Sequence, residues 1–430
     1  MEQQYIDDTN NLLSFIEKSP TSFQATEQVV RRLKEHGFTE LKEGERYHCK
    51  NGGKYYVTRN SSAIIAFTLP YAKEIKSFSI ISAHTDSPSF FLKVNPEMVI
   101  DNQYTILNTE GYGGMLMQPW FDRPLSLAGR AMVKKGDKVE EKLVNIDRDL
   151  LSIVNLAIHQ NRNANTGMNL SKQKDSLPLL SLGSSKGCIK KLIAEHIQEE
   201  ESAIIDFDLF VYNRMKGSIW GLNNEFFSAP RIDDLQCAYC GLQALLQADN
   251  TTGNISLLAL MDNEEVGSGT KQGALSDFLE STIKRIGFSL GWDEEERLMM
   301  QSRSFMLSAD NGHALHPNYR EKSDPVNHPV PNGGVLIKHA ANQKYTTDAV
   351  SSAIFKTILE NNKIKYQDFV NNSNEAGGST LGNLSGQHVS INTVDMGAAQ
   401  LAMHSPYETG GVEDTTSLKR AMTAFLNTKR

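Results

Sequence analysis

The segment Phe78-Ser-Ile-Ile-Ser-Ala-His-Thr-Asp-Ser-Pro88 joins a short apolar run directly to a polar cluster. Its first six residues are typical of a buried β-strand, and His84 begins the polar part. In open α/β sheets, binding sites form in the crevice beyond the carboxyl ends of the strands. The segment therefore predicts a sheet that presents His84 at its functional edge.

Two further apolar runs end in the same way. Glu264 and Glu265 follow the run 255–261, and Asp310 follows the run 305–309. Because the carboxyl ends of parallel strands meet at one edge of a sheet, three separate strands would deliver polar side chains to the same place.

Asp233 and His404 stand where the chain turns past an apolar run, and they complete a set of five candidate metal ligands. Two imidazoles and three carboxylates suit two divalent cations that share one carboxylate. The sequence therefore predicts a metallohydrolase with the ligands His84, Asp233, Glu265, Asp310 and His404.

Each of these motifs has a simpler explanation when it is taken alone. An isolated His-x-Asp is more often a hydrogen-bonded histidine at a strand end, and Asp233 before a helix is more often an N-cap. The pair Glu264-Glu265 is harder to dismiss, because two charges directly after an apolar strand are costly unless a cation receives them. Simple explanations for the whole set require five coincidences.

The pattern along the rest of the chain predicts an α/β protein. Two helices are expected at 5–17 and 22–36, followed by a hairpin at 54–68. Short alternating runs and glycine-rich turns then indicate a β-rich insertion, and α/β alternation resumes after Asn224. We predict a central mixed sheet flanked by helices, with a discontinuous catalytic domain at 1–93 and 225–430 and an inserted β-rich domain at 94–224.

Length, composition and charge exclude several classes of function. The chain has 430 residues, and its 51 acidic and 44 basic side chains give a formal net charge of −7 without a basic stripe, so nucleic acid is not an expected partner. No run approaches the roughly 20 apolar residues of a membrane span, and the first residues lack a basic, then apolar, leader pattern. We expect a cytoplasmic protein without membrane contact.

Two other motifs are not taken as sites. Cys237-Ala-Tyr-Cys240 has redox or zinc-knuckle spacing, but it lies within an apolar helical repeat and has no second pair, so packing is the favoured interpretation. The loop Gly267–Gly273 has the glycine spacing of a dinucleotide loop, yet four polar residues separate it from the preceding strand. We expect a tight turn beside the metals there.

With these residues in hand, the chain resembles the M18 family of metalloaminopeptidases, the group of aspartyl aminopeptidase and vacuolar aminopeptidase I. The resemblance runs nearly from end to end. It implies a zinc-peptidase type of catalytic domain, an inserted domain that builds dimers, and assembly of those dimers into a dodecamer. The segments that carry it are 82–88, 110–114, 120–123, 127–130, 156–159, 229–234, 262–268, 308–310, 316–319 and 400–405.

The resemblance also implies a role for each candidate residue. His84 and Asp310 would hold one zinc, Glu265 and His404 the other, and Asp233 would bridge the two. Co²⁺ or Mn²⁺ are possible substitutes for zinc. The substrates would be peptides with a free N-terminus, and the catalytic residues would be Glu264 as general base, His159 of the inserted domain as a carbonyl-stabilising group, and Asp86.

Local geometry supports two of these roles. Adjacent residues in an extended chain point to opposite sides, so Glu265 could hold a metal while Glu264 faces the attacking water. Asp86, two residues after His84, would then lie on the same side and accept the second N–H of the imidazole, which fixes its tautomer.

Substrate selectivity is the open point of the sequence. Lys338, Tyr345 and Gly378 match positions that line the substrate pocket of the family, and a lysine there could pair with an acidic N-terminal side chain. The family also contains members that prefer neutral residues, and this chain departs from the usual pattern at Asn383 and at Arg123-Pro124. The alternatives are a neutral or broad preference, or a catalytically silent assembly protein, which the intact set of catalytic residues disfavours.

Overall fold

The computed structural model describes residues 1–72, 74–167, 169–375 and 377–429. These residues form a mixed α/β structure with three β-sheets. In chain order the strands are β1 (Thr39–Glu40), β2 (Lys54–Arg59), β3 (Ala63–Thr68), β4 (Ser77–His84), β5 (Ser89–Ile100), β6 (Tyr104–Tyr112), β7 (Leu125–Lys135), β8 (Lys138–Asn145), β9 (Leu179–Leu182), β10 (Ile204–Asn213), β11 (Ser218–Trp220), β12 (Phe226–Ala229), β13 (Asn254–Met261), β14 (Phe305–Ala309), β15 (Gly312–His313), β16 (Val335–His339), β17 (Tyr366–Val370), β18 (Asn392–Gly397), β19 (Ala399–Leu401) and β20 (Glu408–Gly411).

The helices pack mainly around the largest sheet. Two of them begin at an aspartate that accepts a hydrogen bond from the first helical turn, and the C-terminal helix is one of the most buried elements. In chain order they are α1 (Gln3–Glu17), α2 (Ser22–Glu35), α3 (Cys188–Ile197), α4 (Ile232–Leu246), α5 (Phe278–Leu290), α6 (Glu294–Ser302), α7 (Ala349–Asn361), α8 (Leu381–Ser385) and α9 (Val412–Leu426).

The largest sheet has nine strands in the order β1-β2-β3-β13-β4-β14-β18-β16-β17. Its central strands β13, β4, β14 and β18 run parallel to one another, whereas β3 and β16 join them antiparallel. Every residue of β4 and β13 is buried, because helices cover both faces of the sheet. This explains why both strands carry apolar side chains on both faces, although Ser77, Ser79 and Ser82 interrupt the run in β4.

The second sheet has six strands in the order β8-β7-β10-β5-β6-β9, all from residues 89–213. It has a hydrophobic core of its own, to which α3 contributes Ile189 and Ile193. A smaller third sheet joins β11, β12, β20, β19 and β15. The strands of this third sheet are too short to have been predicted from periodicity.

The predicted fold class is confirmed. A mixed sheet flanked by helices is accompanied by a six-stranded sheet built from the middle of the chain. The assignment of 94–224 as a separate dimerisation domain stays a prediction. Cys237 and Cys240 are buried in α4, as their apolar surroundings predicted. None of the helices among the described residues is long and apolar enough to cross a membrane.

Candidate metal centre

The predicted ligands converge at the carboxyl edge of the central sheet. His84 is the last residue of β4, and Asp310 directly follows its parallel neighbour β14. Glu264 and Glu265 follow β13, the neighbour of β4 on the other side. The expectation that these two glutamates are in extended chain was wrong, because residues Glu264–Val266 form a 3-10 helix.

Asp233 lies between the two histidines. Its Oδ1 atom is 3.4 Å from Nε2 of His84, and its Oδ2 atom is 3.4 Å from Nε2 of His404. The same nitrogen of His404 is 3.3 Å from Oε1 of Glu265. Each oxygen of one carboxylate therefore faces a different imidazole, which is the arrangement expected of a bridging ligand.

Among the described residues there are three groups of candidate ligand residues, and within each group the ligand atoms lie within 4.8 Å of one another. Two of these groups contain Asp233, and each of the two adds a different pair of the other predicted ligands. The third group brings the carboxyl of Glu264 beside His84 and Glu265. The groups are His84 with Asp233 and Asp310, Asp233 with Glu265 and His404, and His84 with Glu264 and Glu265.

The hydrogen bonding of the site fits divalent cations. Oδ1 of Asp233 and Oε1 of Glu265 are buried and have no hydrogen-bond partner within the described part of the chain. A buried carboxylate oxygen without a donor is costly, and a metal ion is the usual compensation. Imidazole nitrogen and carboxylate oxygen are also the ligand atoms that zinc accepts.

The electrostatics of the site indicate an excess of buried negative charge. Burial raises the pKa of Glu264 to about 8 and that of Glu265 to about 7. Burial acts against the charge of His404, but the carboxylates of Asp233 and Glu265 outweigh it and raise the pKa of this imidazole to about 11. A divalent cation that binds these carboxyl groups would displace their protons into the solvent and offset the negative charge.

Asp86 is placed beside His84 as the sequence predicted. Its Oδ1 atom is 3.3 Å from Nδ1 of His84, and its backbone oxygen is 3.1 Å from the same nitrogen. The carboxylate also accepts hydrogen bonds of 3.1 Å from the backbone N–H groups of Glu264 and Glu265. Asp86 therefore holds both the histidine ring and the 3-10 turn that carries the glutamates.

Glu408, a residue that sequence analysis missed, does the same for the other half of the site. It is buried in β20, where its carboxylate accepts hydrogen bonds from the backbone N–H of Asp233 at 3.0 Å and of His404 at 2.7 Å. One side chain thus fixes the backbone of two ligands that are far apart in sequence. The sequence around it, Tyr407-Glu-Thr-Gly-Gly411, has no pattern that points to this role.

The four remaining predicted residues lie outside the three ligand groups. His159 lies in an exposed turn and belongs to none of the three ligand groups. Lys338 is 2% exposed, with Nζ 2.7 Å from the backbone oxygen of Asn311 and 3.7 Å from Oδ1 of Asp310. Tyr345 is buried with its ring 5.3 Å from Nζ of Lys338, and Gly378 is exposed in a loop.

A sheet with parallel central strands and with imidazoles and carboxylates at their carboxyl ends is typical of a metallohydrolase. Comparisons with known proteins agree. The family described as "Aminopeptidase I zinc metalloprotease (M18)" matches residues 15–426. A "Probable M18 family aminopeptidase 2" of Clostridium novyi is 47% identical over 413 residues, which cover 94% of this chain and 95% of the relative.

Solved structures show the same similarity. A chain in the cryo-EM structure of the Ape4 and Nbr1 complex superposes with a TM-score of 0.94 at 32% identity, covering 98% of this chain and 86% of that one. A structure of the S. cerevisiae mApe1 dodecamer gives a TM-score of 0.87 at 26% identity, covering 98% and 97%. The chain belongs to the M18 family, and it is a zinc-dependent aminopeptidase.

Removal of metal should abolish activity, because a zinc-dependent aminopeptidase relies on its bound cation to acidify the attacking water. We expect no turnover of an aminoacyl p-nitroanilide after dialysis against a chelator, and recovery on addition of Zn²⁺. Circular dichroism of the dialysed protein checks that the fold persists. Full activity in protein shown by elemental analysis to be free of metal would contradict this expectation.

Proposed function

We propose that each chain of the protein binds two zinc ions and uses them to remove the N-terminal residue of peptides. The observation that carries the proposal is Asp233, whose two carboxylate oxygens face the imidazoles of His84 and His404. His84 and Asp310 would hold one ion, and Glu265 and His404 the other. When bound, the two ions would acidify the attacking water, polarise the scissile carbonyl and hold the free α-amine.

Glu264 has the role of general base in this proposal. Its carboxyl lies beside His84 and Glu265, where a carboxylate can accept a proton from the attacking water and return it. Glu264 takes one proton from the attacking water, and the water oxygen bonds to the carbonyl carbon. The C–N bond then breaks, and Glu264 gives its proton to the departing amine of the shortened peptide.

The roles of the neighbouring glutamates can be separated by isosteric substitution. Glu264→Gln removes the base and keeps its shape, so kcat should fall by at least about 100-fold while zinc content persists. Glu265→Gln should instead reduce zinc content, because it removes a ligand. Both variants need kinetics and elemental analysis, since the position of Glu264 also allows it to ligate a metal. Equal loss of zinc from the two variants would refute this division of roles.

We propose a preference for acidic N-terminal residues. Lys338 is a buried cation whose carboxylate neighbour is Asp310, a proposed zinc ligand. A carboxylate that binds zinc neutralises a nearby ammonium less completely, so an acidic substrate side chain would complement the remaining charge. A preference for neutral residues is the alternative, and it would leave Lys338 as a structural partner of Asp310.

A panel of aspartyl, glutamyl, leucyl and alanyl p-nitroanilides tests this preference. A charge-assisted hydrogen bond contributes about 1.5–3 kcal/mol, so kcat/KM should be roughly 10–100-fold higher for the acidic substrates. N-acetylated analogues should resist cleavage, because the acylated nitrogen is not a ligand. A higher kcat/KM for the leucyl substrate would establish a neutral preference instead, and equal values would establish a broad one.

We propose that the protein assembles through its inserted sheet into dimers, and through these into a dodecamer like that of the S. cerevisiae relative. The segment before His159 exposes Val154, Leu156 and Ile158, which are 55%, 57% and 49% exposed. Apolar side chains of this size suit burial against a second copy.

The four cysteines form no disulfide, which suits the cytoplasm as the place of action.

Dimerisation through this segment would bring His159 close to the metal centre of the partner, where it could donate a hydrogen bond to the developing oxyanion. Such a donor contributes about 100–1,000-fold to kcat. Inactive His159→Ala chains should therefore complement inactive Glu264→Gln chains, because a hybrid dimer contains one site with both groups intact. Recovered activity after subunit exchange supports action across the interface. Its absence from hybrids verified by mass spectrometry would exclude that action.

A further inference from the structure

A short segment that begins at the last residue of β6, in the six-stranded sheet, contacts the metal centre of its own chain at three points. We call residues 112–116 the bridging segment. The hydroxyl of Tyr112 donates a hydrogen bond of 2.7 Å to Oδ2 of Asp86. The backbone N–H of Leu116 donates a hydrogen bond of 3.0 Å to the backbone oxygen of His404. Between these two, Gly113 passes against Glu265.

The hydroxyl of Tyr112 is held from two sides. Its ring packs edge-on against Phe210, with ring centroids 5.4 Å apart, and Phe210 packs in the same way against Phe91 at 5.0 Å. All three rings belong to the six-stranded sheet. From the catalytic side, Nδ2 of Asn263 donates a hydrogen bond of 2.9 Å to the hydroxyl oxygen. The position of the hydroxyl is therefore set by both sheets.

Asp86 transmits this position to the metal ligands. The oxygen that accepts from Tyr112 also accepts from the backbone N–H of Glu265, and the other oxygen lies beside the ring of His84. Loss of the tyrosine hydroxyl would remove one of three hydrogen bonds that hold the Asp86 carboxylate. The ring of His84 and the turn of Glu265 would then be held less firmly.

Gly113 shows how closely the segment approaches the second ligand pair. It has a φ of +74°, and a Cβ atom there would lie 3.1 Å from Cβ of Glu265 and 3.5 Å from Cα of Pro88. A side chain at this position is strained by the backbone conformation and would also press on the ligand. Glycine permits both the turn and the contact without strain.

We propose that the bridging segment positions the metal ligands, so that zinc affinity depends on how the six-stranded sheet docks within the same chain. Tyr112 is a positioning residue that acts through Asp86 on His84. Gly113 and Leu116 act on the Glu265 and His404 half of the centre. The proposal rests on the five-ligand zinc site described above, but it assigns no ligand to the bridging segment.

Two substitutions with matched controls test it. Tyr112→Phe removes one hydroxyl, and Tyr104→Phe makes the same change at a half-exposed position on the same strand. Gly113→Ala adds one methyl group beside Glu265. Gly136→Ala adds it at a φ of +62° where nothing lies within 4 Å, so it reproduces the backbone strain without the contact.

Zinc affinity of the full chain is measured by competition with a chromogenic chelator, and the Tm of the zinc-free protein is measured alongside. Tyr112→Phe and Gly113→Ala should each weaken zinc binding by about 10–100-fold relative to their controls. Unchanged zinc affinity in both variants would overturn the proposal. So would a lower Tm of the zinc-free protein without a change in affinity, because a purely structural role predicts that result.

A third arm separates this proposal from the assignment of the ligands. His84→Ala should lose at least one of the two zinc ions if the ligand set is correct. If His84→Ala binds zinc as the unsubstituted chain does, the proposed centre is wrong and the positioning role of Tyr112 falls with it. If His84→Ala loses zinc but Tyr112→Phe and Gly113→Ala do not, the ligand set stands and only the bridging role is refuted.

Discussion

Buried negative charge is the constraint on which the rest of the structure depends. Asp233 extends one oxygen to each of two histidines, and the carboxyls of Glu264, Glu265 and Asp310 gather around the same space. Such a cluster is unfavourable in a protein interior unless cations enter it. The parallel strands bring the carboxyl groups together, and the backbone bonds to Asp86 and Glu408 keep them from relaxing apart. The parallel strands and these backbone hydrogen bonds therefore hold like charges close together.

The sequence located three of the candidate ligands by a simple rule of α/β sheets. His84, Glu265 and Asp310 stand at or beyond the ends of buried strands that lie side by side, so apolar runs ending in polar residues pointed to them. The same local reasoning failed for the direction of Glu264 and Glu265. The turn after β13 is set by hydrogen bonds to the distant Asp86, and no property of the glutamates themselves requires a 3-10 helix.

Residues that support the ligands were beyond the reach of sequence patterns. Glu408 reaches the backbone of Asp233 in α4 from the third sheet, and Tyr112 reaches Asp86 from the six-stranded sheet. Neither residue lies at the end of an apolar run, and an acid or a tyrosine in a strand has many ordinary explanations. The third sheet escaped for a related reason, since strands of two to four residues have no measurable periodicity. These features exist only once distant segments have met.

The distribution of the ligands along the chain has a consequence for biosynthesis. His84 leaves the ribosome before the six-stranded sheet is made, and Asp233, Glu265, Asp310 and His404 follow long afterwards. Sites whose ligands lie a few residues apart can capture metal as a local loop, whereas the five candidate ligands here are spread from His84 to His404. A nascent chain lacks the complete proposed set until the last strands of the central sheet have been made and have joined the strands made before the six-stranded sheet. The proposed centre thus predicts that metal is acquired late and that an unfinished chain competes weakly for zinc.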